Sequence, residues 1–193
     1  MRSLALKLAR KVNLDELGIT LIGVVEHVRE EYYEELESTY YERQIRDTAA
    51  EVGENLWIGG PCSVNSRTVL GDDVHLHGLD VRGEGALTIG DYFHGASGCK
   101  IHTAHHNYDH GDAIPYDGTF IEKSVDIGDF VWFGTDVAVL AGVSIGEGAI
   151  VQAGSVVTED IPRGAIAGGH PAEVFGQRNM DHFEEMKKAG RFN

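Results

Sequence analysis

Four histidines and two aspartates fall within the eleven residues His102-Thr103-Ala104-His105-His106-Asn107-Tyr108-Asp109-His110-Gly111-Asp112. Histidine titrates near neutral pH, so a cluster of this kind suits proton transfer. An alcohol is barely ionised at that pH, and its oxygen needs a base before it can attack an acyl carbon. His105 and His110 also stand five residues apart, a spacing that two zinc ligands can adopt. The two cysteines, Cys62 and Cys99, are isolated and have no CxxC partner. They read as buried thiols of a reducing cytoplasm, not as a metal or redox motif.

The chain around this cluster is 193 residues long, enough for one domain with a full core, or for one domain plus a helical extension. Its net charge of −15 comes from 31 acidic against 16 basic side chains. No basic patch is dense enough to displace counterions from a phosphate backbone, so nucleic acid is excluded as a partner. The run Arg29-Glu30-Glu31-Tyr32-Tyr33-Glu34-Glu35 reads as a solvated helix face. Gly18 to Val25 is apolar but too short to span a bilayer, and no signal peptide or transmembrane segment is expected. The basic, leucine-bearing start (Arg2, Leu4, Leu6, Lys7, Leu8, Arg10, Lys11) is expected to be a short helix packed on the domain.

Two kinds of periodicity must position the cluster. Up to about residue 48, Leu14, Leu17, Leu21, Val24, Val28, Tyr32, Leu36 and Tyr40 recur at three or four positions, the spacing of one helix face. Asn13 and Glu16 fit a capping box, and Gly18 and Gly23 are candidate breaks. After Gly53 the apolar period becomes six. Ile127, Phe133, Val139, Ile145, Val151 and Val157 follow one another at that interval, and Val131, Val137, Val143, Ala149, Ser155 and Ile161 trail each by four. Neither helix nor alternating strand explains a period of six.

A β-helix does explain it: each hexapeptide forms one flat side and three sides complete a coil. Residues eighteen apart then stack, placing Ile127 under Ile145, Phe133 under Val151 and Val139 under Val157. Gly128, Gly134 and Gly146 fall at corners where a Cβ would be crowded. Ile58, Val64, Leu70 and Leu76, then Ile89, Gly95 and Ile101, hold the same spacing. The register slips between Val81 and Leu87, which predicts a bulge or short insertion. Between Ile101 and Val125 the repeat stops, and the histidine cluster lies in that break, where a rigid scaffold carries function. The expected organisation is a helical extension at 1–50, a β-helix at 51–178 with an active-site loop at 102–124, and a helical tail at 179–193.

Residues 53 to 178 resemble the hexapeptide-repeat acyltransferases, in particular the maltose and galactoside O-acetyltransferase branch. The resemblance rests on Val125-Asp126-Ile127-Gly128-Asp129-Phe130-Val131-Trp132-Phe133-Gly134, on Ala153-Gly154-Ser155-Val156-Val157-Thr158-Glu159-Asp160-Ile161-Pro162, and on Ala167-Gly168-Gly169-His170-Pro171-Ala172. It implies a mainly β fold, a left-handed parallel β-helix with an N-terminal α-helical extension. It further implies a homotrimer in which acetyl-CoA, the acyl donor, lies in the groove between neighbouring β-helices. The family's catalytic histidine comes seventeen residues after the isoleucine of an Ile-Gly-Asp triplet. Ile89-Gly90-Asp91 leads in this way to Thr103-Ala104-His105-His106 and places His106 as the base. His105 takes the role if the alignment slips by one.

By the same resemblance Trp132, Thr135, Ala153 and Thr158 line the donor channel. The family often has a basic residue directly after the Pro-Ala pair and another three residues on, whereas this chain has Glu173 and Gly176. Arg178 is the nearest replacement for binding the CoA phosphates, and Arg163 is another. His75, with His77 close by, falls near an acceptor-contacting position, and His105, Tyr108 and Asp109 are further acceptor candidates. The resulting expectation is a cytoplasmic O-acetyltransferase of a sugar or polysaccharide hydroxyl, working by direct transfer without a metal on a small-molecule or glycan acceptor. Alternatives are an N-acyltransferase of an amino sugar, a zinc enzyme like the γ-type carbonic anhydrases, and a non-catalytic scaffold.

Overall fold

The structure, a computed structural model, describes residues 21–192. The Asn13–Glu16 capping box and the Gly18 break lie outside the described residues. Helix α1 (Leu21–Thr48) runs through Gly23 without interruption. Of the expected apolar face, Leu36 and Tyr40 do not dock: they are 47% and 58% exposed. The helix is seated by its last turns instead, where Ile45 is buried and Tyr41 packs against the core. Those turns meet β1 (Glu51–Val52) and β2 (Trp57–Ile58). The chain leaves the helix directly into the first coil, with Ala50 N donating to Thr68 O at 2.9 Å.

The rest winds into a parallel β-helix with three faces. The first face stacks β1, β3 (Thr68–Leu70), β6 (Leu87–Ile89), β11 (Val125–Ile127) and β14 (Ser144–Ile145). The second stacks β2, β4 (His75–Leu76), β7 (His94–Gly95), β12 (Trp132–Phe133), β15 (Ile150–Val151) and β17 (Ala165–Gly169). Strand β18 (Ala172–Gln177) closes that face antiparallel to β17. The third stacks β5 (Leu79–Arg82), β8 (Cys99–His102), β13 (Ala138–Val139) and β16 (Val156–Val157). Helix α2 (Met180–Lys188) follows, capped by Asn179.

The stacking follows the hexapeptide arithmetic. Ile127 pairs with Ile145, Phe133 with Val151 and Val139 with Val157, and the six residues trailing them by four are all buried. Gly95 occupies an inward position because the Phe93 ring already fills that space: a Cβ there would lie 2.9 Å from it. Phe93 meets Phe133 edge to face at 5.1 Å. The slipped register has a structural origin as well. Val81 stacks on Ile101, twenty residues on, and Asn65 clamps the extra residues by donating to Gly83 O and Gly85 O at 2.8 and 2.9 Å. Asn65 is buried for this purpose, while Val64, expected inward, is half-buried beside it.

The corners are built by recurring chemistry. At the corner between the first and second faces, Asn55, Asp73, Tyr92, Phe130, Gly148 and Gly164 all take left-handed φ values between 54° and 69°. Beside it, Asp72, Asp91 and Asp129 each accept a backbone N–H from the preceding coil, from Glu54, Asp72 and Asp91 at 2.7, 2.8 and 2.9 Å. The carboxylates of Leu70-Gly71-Asp72, Ile89-Gly90-Asp91 and Ile127-Gly128-Asp129 are thus rungs between coils.

Two glycines at the corner between the second and third faces make opposite demands. A Cβ on Gly134 would stand 2.5 Å from Ala153 N, a backbone atom that cannot turn aside, whereas Gly154 (φ 71°) has nothing within 4 Å. Gly134→Ala is therefore expected to cost about 3 kcal/mol by overpacking, and Gly154→Ala about 1 kcal/mol by conformation alone. Thermal denaturation of the two variants checks this; an equal or reversed order contradicts the corner geometry.

Candidate functional site

The break in the repeat is an antiparallel hairpin that springs from the end of the third face. Strand β9 (Ala104–His106) pairs with β10 (Phe120–Glu122), opposing His106 to Phe120 and His105 to Ile121. Its base is fixed by Thr103, fully buried, whose N–H reaches Arg82 O at 2.8 Å while its carbonyl accepts from Lys123 N at 2.9 Å. The tip is organised by Asp117, which accepts from Asp112 N at 3.0 Å and from Thr119 N at 2.8 Å. The Thr119 hydroxyl bond, followed by these amides, holds the Asp117 carboxyl below the usual carboxylate range.

His106 is bracketed by aromatic rings. Tyr116 stacks on it at 3.7 Å and 16°, and Phe120 lies at 4.4 Å. Its Nδ1 is buried and has no hydrogen-bond partner among the described residues. His105 differs: its Nδ1 lies 2.9 Å from His106 O and its ring 5.4 Å from Tyr108. Tyr108 and Asp109 are exposed on the same loop. Tyr116 and Phe120 carried no signal in the sequence, because only the hairpin register sets them against the base.

The other expected residues divide between two edges of the second face. Trp132 stands on its outer surface, 52% exposed, paired with His94 below and Ile150 above. His75 lies in the same column, with ring centroids 5.7 Å from Trp57 and 4.4 Å from His94. Burial, and then the neighbouring His94, push its pKa down and favour the neutral ring. Thr135 and Ala153 are exposed at the edge toward the third face, and Thr158 is exposed just past β16. Arg178 is at the opposite edge, where its Nε donates to Gly148 O at 2.6 Å. Within one chain it does not meet Thr135, Ala153 or Thr158. Arg163 is already engaged, with Glu147 at 2.7 Å and with Glu184.

Among the described residues no three His, Cys, Asp or Glu side chains converge as a metal site, and no helix is long and apolar enough to cross a membrane. Cys62 and Cys99 are buried free thiols; burial pushes the Cys62 pKa up to about 11, which keeps it protonated and unreactive.

Comparison with known proteins places this geometry. Residues 124–159 match the family model described as bacterial transferase hexapeptide (six repeats). The galactoside O-acetyltransferase of Escherichia coli K12 is 30% identical over 165 residues, spanning 84% of this chain and 78% of the relative. A solved galactoside acetyltransferase in complex with coenzyme A superposes with a TM-score of 0.64 at 30% identity, covering 74% of this chain and 72% of its own. A hexapeptide-repeat acetyltransferase from Vibrio cholerae, solved with acetyl-coenzyme A, gives a TM-score of 0.58 at 27% identity over 68% of this chain and 73% of its own.

Proposed function

This chain belongs to the hexapeptide-repeat acetyltransferases, and from that premise we propose that it moves the acetyl group of acetyl-CoA to a hydroxyl of a sugar or polysaccharide. The observation that carries this reading is His106 itself. It stands seventeen residues after Ile89, on a hairpin projecting from the coil, half-buried with its ring held between Tyr116 and Phe120.

The chemistry then runs without a covalent enzyme intermediate. Nε2 of His106 takes the hydroxyl proton as the acceptor oxygen attacks the thioester carbon. The tetrahedral species collapses, the C–S bond breaks, and the CoA thiolate takes the proton back from the imidazolium. A catalytic imidazole is commonly oriented by a hydrogen bond at its second nitrogen. Here the stacked Tyr116 and Phe120 rings do that work. Trp132, Thr135, Ala153 and Thr158 line the donor channel, and Arg178 serves the donor phosphates from the far edge of the second face. His75, His105, Tyr108 and Asp109 face the acceptor. Because these groups occupy separate edges of one β-helix, a complete site takes two neighbouring copies, as a homotrimer with three equal grooves supplies.

The test is a screen for acceptor-dependent release of the CoA thiol across sugars, nucleotide sugars and hydroxylated antibiotics. The expected result is rapid release with at least one sugar over a slow background; release with none of the sugars removes the proposed acceptor class.

A further inference from the structure

Helix α2 and the residues after it fold back along the corner between the first and second faces. Arg178 N donates to Gly164 O at 2.8 Å, Lys187 pairs with Glu147, and the Phe192 ring lies 4.5 Å from Tyr92 and 5.2 Å from Phe130. Between this strap and the outer surface of the second face lies a cavity of about 520 Å³. That volume is in the range of small-molecule sites.

Its walls are basic in an acidic chain. Arg178, Arg191 and Lys187, the last paired with Glu147, line it, and no aspartate or glutamate does, although the chain has 31 acidic residues against 16 basic ones. The state of pairing is more telling than the count. Arg46, Arg67, Arg82 and Arg163 each meet a carboxylate within 3 Å. Arg178 is partly buried, its Nε is used by the Gly148 carbonyl, and it has no carboxylate partner among the described residues. Desolvation lowers its pKa accordingly. A guanidinium withdrawn from water without a counter-charge is costly, and an arriving phosphate offsets that cost through two parallel charge-assisted bonds. Arg191, exposed at the mouth, has no ion pair among the described residues either. The same cavity offers two open aromatic surfaces, Trp132 and Phe192, exposed by 52% and 42%.

We propose that this cavity binds a phosphorylated compound with a flat aromatic ring, the ring lying against Trp132 and Phe192 and the phosphate on Arg178 and Arg191. Two sources share this chemistry. One is the phosphoadenosine end of the acetyl donor; this source rests on the function proposed above. The other is a separate nucleotide, such as that of a nucleotide-activated acceptor. The cavity itself stands on its own geometry.

Adenosine 3′,5′-bisphosphate titrated calorimetrically into the full chain tests the site. Saturable binding is expected, weakened at least about tenfold in Arg178→Gln and in Arg191→Gln, the worth of a charge-assisted hydrogen bond. Adenosine and inorganic phosphate, each alone, should bind at least about tenfold more weakly than the bisphosphate, since each uses half of the site. Arg178→Gln also loses a bond to Gly148 and can lose its fold, so Arg191→Gln and Phe192→Ala, both at exposed positions, are followed with circular dichroism as controls. Displacement of the bisphosphate by acetyl-CoA assigns the site to the donor, and simultaneous binding assigns it to a separate nucleotide and takes Trp132 and Arg178 out of the donor channel; either upholds the cavity site. No saturable binding at millimolar concentration, or unchanged affinity in folded Arg191→Gln, overturns it. Normal acetyl transfer alongside either of those failures removes the cavity site and leaves the proposed reaction standing.

Discussion

Replacing His106 by alanine is expected to lower turnover by about 10²–10⁴-fold, the usual worth of a positioned general base. In the proposed reaction the imidazole acts on the acceptor proton in the transition state, so acetyl-CoA affinity should change little. His105→Ala should cost far less: its Nδ1 is turned to the His106 carbonyl and its ring toward Tyr108, away from the bracketed position that fixes the base. Steady-state kinetics on both variants with one acceptor decides the matter. Near-normal turnover in His106→Ala with collapse in His105→Ala would move the chemistry one residue along the strand. Full activity in both would leave the reaction without its base.

The second large effect concerns the proposed donor channel. Ala153 is exposed at the corner between the second and third faces, directly over Gly134. An indole there fills the groove without entering the core, so Ala153→Trp should weaken acetyl-CoA binding by roughly 100-fold, about 2.7 kcal/mol, while the circular dichroism spectrum persists. Sedimentation of the parent protein as a trimer is part of the same expectation, because a groove between copies requires the copies. Unchanged affinity in folded Ala153→Trp, or a stable monomer at micromolar concentration, would place the donor elsewhere.

Much of this scaffold was legible in the sequence because a β-helix repeats one local decision. The six-residue period fixed which side chains turn inward, and the eighteen-residue stacking of Ile127 on Ile145 followed from counting. The break after Ile101 marked the hairpin, since an insertion announces itself where the period stops. Other features depend on partners distant in sequence. Gly95 is explained only by the ring of Phe93, and the slip near Val81 only by the amide of Asn65. The periodic face of α1 is a pattern that does not tell which of its residues find a core, and Leu36 and Tyr40 are in solvent. Tyr116 reaches His106 from ten residues away through the hairpin turn, a contact that no spacing rule supplies. Arg178 was named for its charge; that it lies across the second face from Ala153 is visible only once the chain is wound.

The central claim is that an acetyl group passes from acetyl-CoA to a sugar oxygen, and the most direct measurement is the chemical identity of the product. Acetyl-CoA and an acceptor found by thiol release are incubated with the protein, and the product is isolated, weighed by mass spectrometry and treated with mild alkali. The account predicts a sugar heavier by one acetyl group whose acetyl is released by alkali, as an ester must be, and no such product from His106→Ala. An alkali-stable amide on an amino sugar, or equal product from His106→Ala, would contradict it.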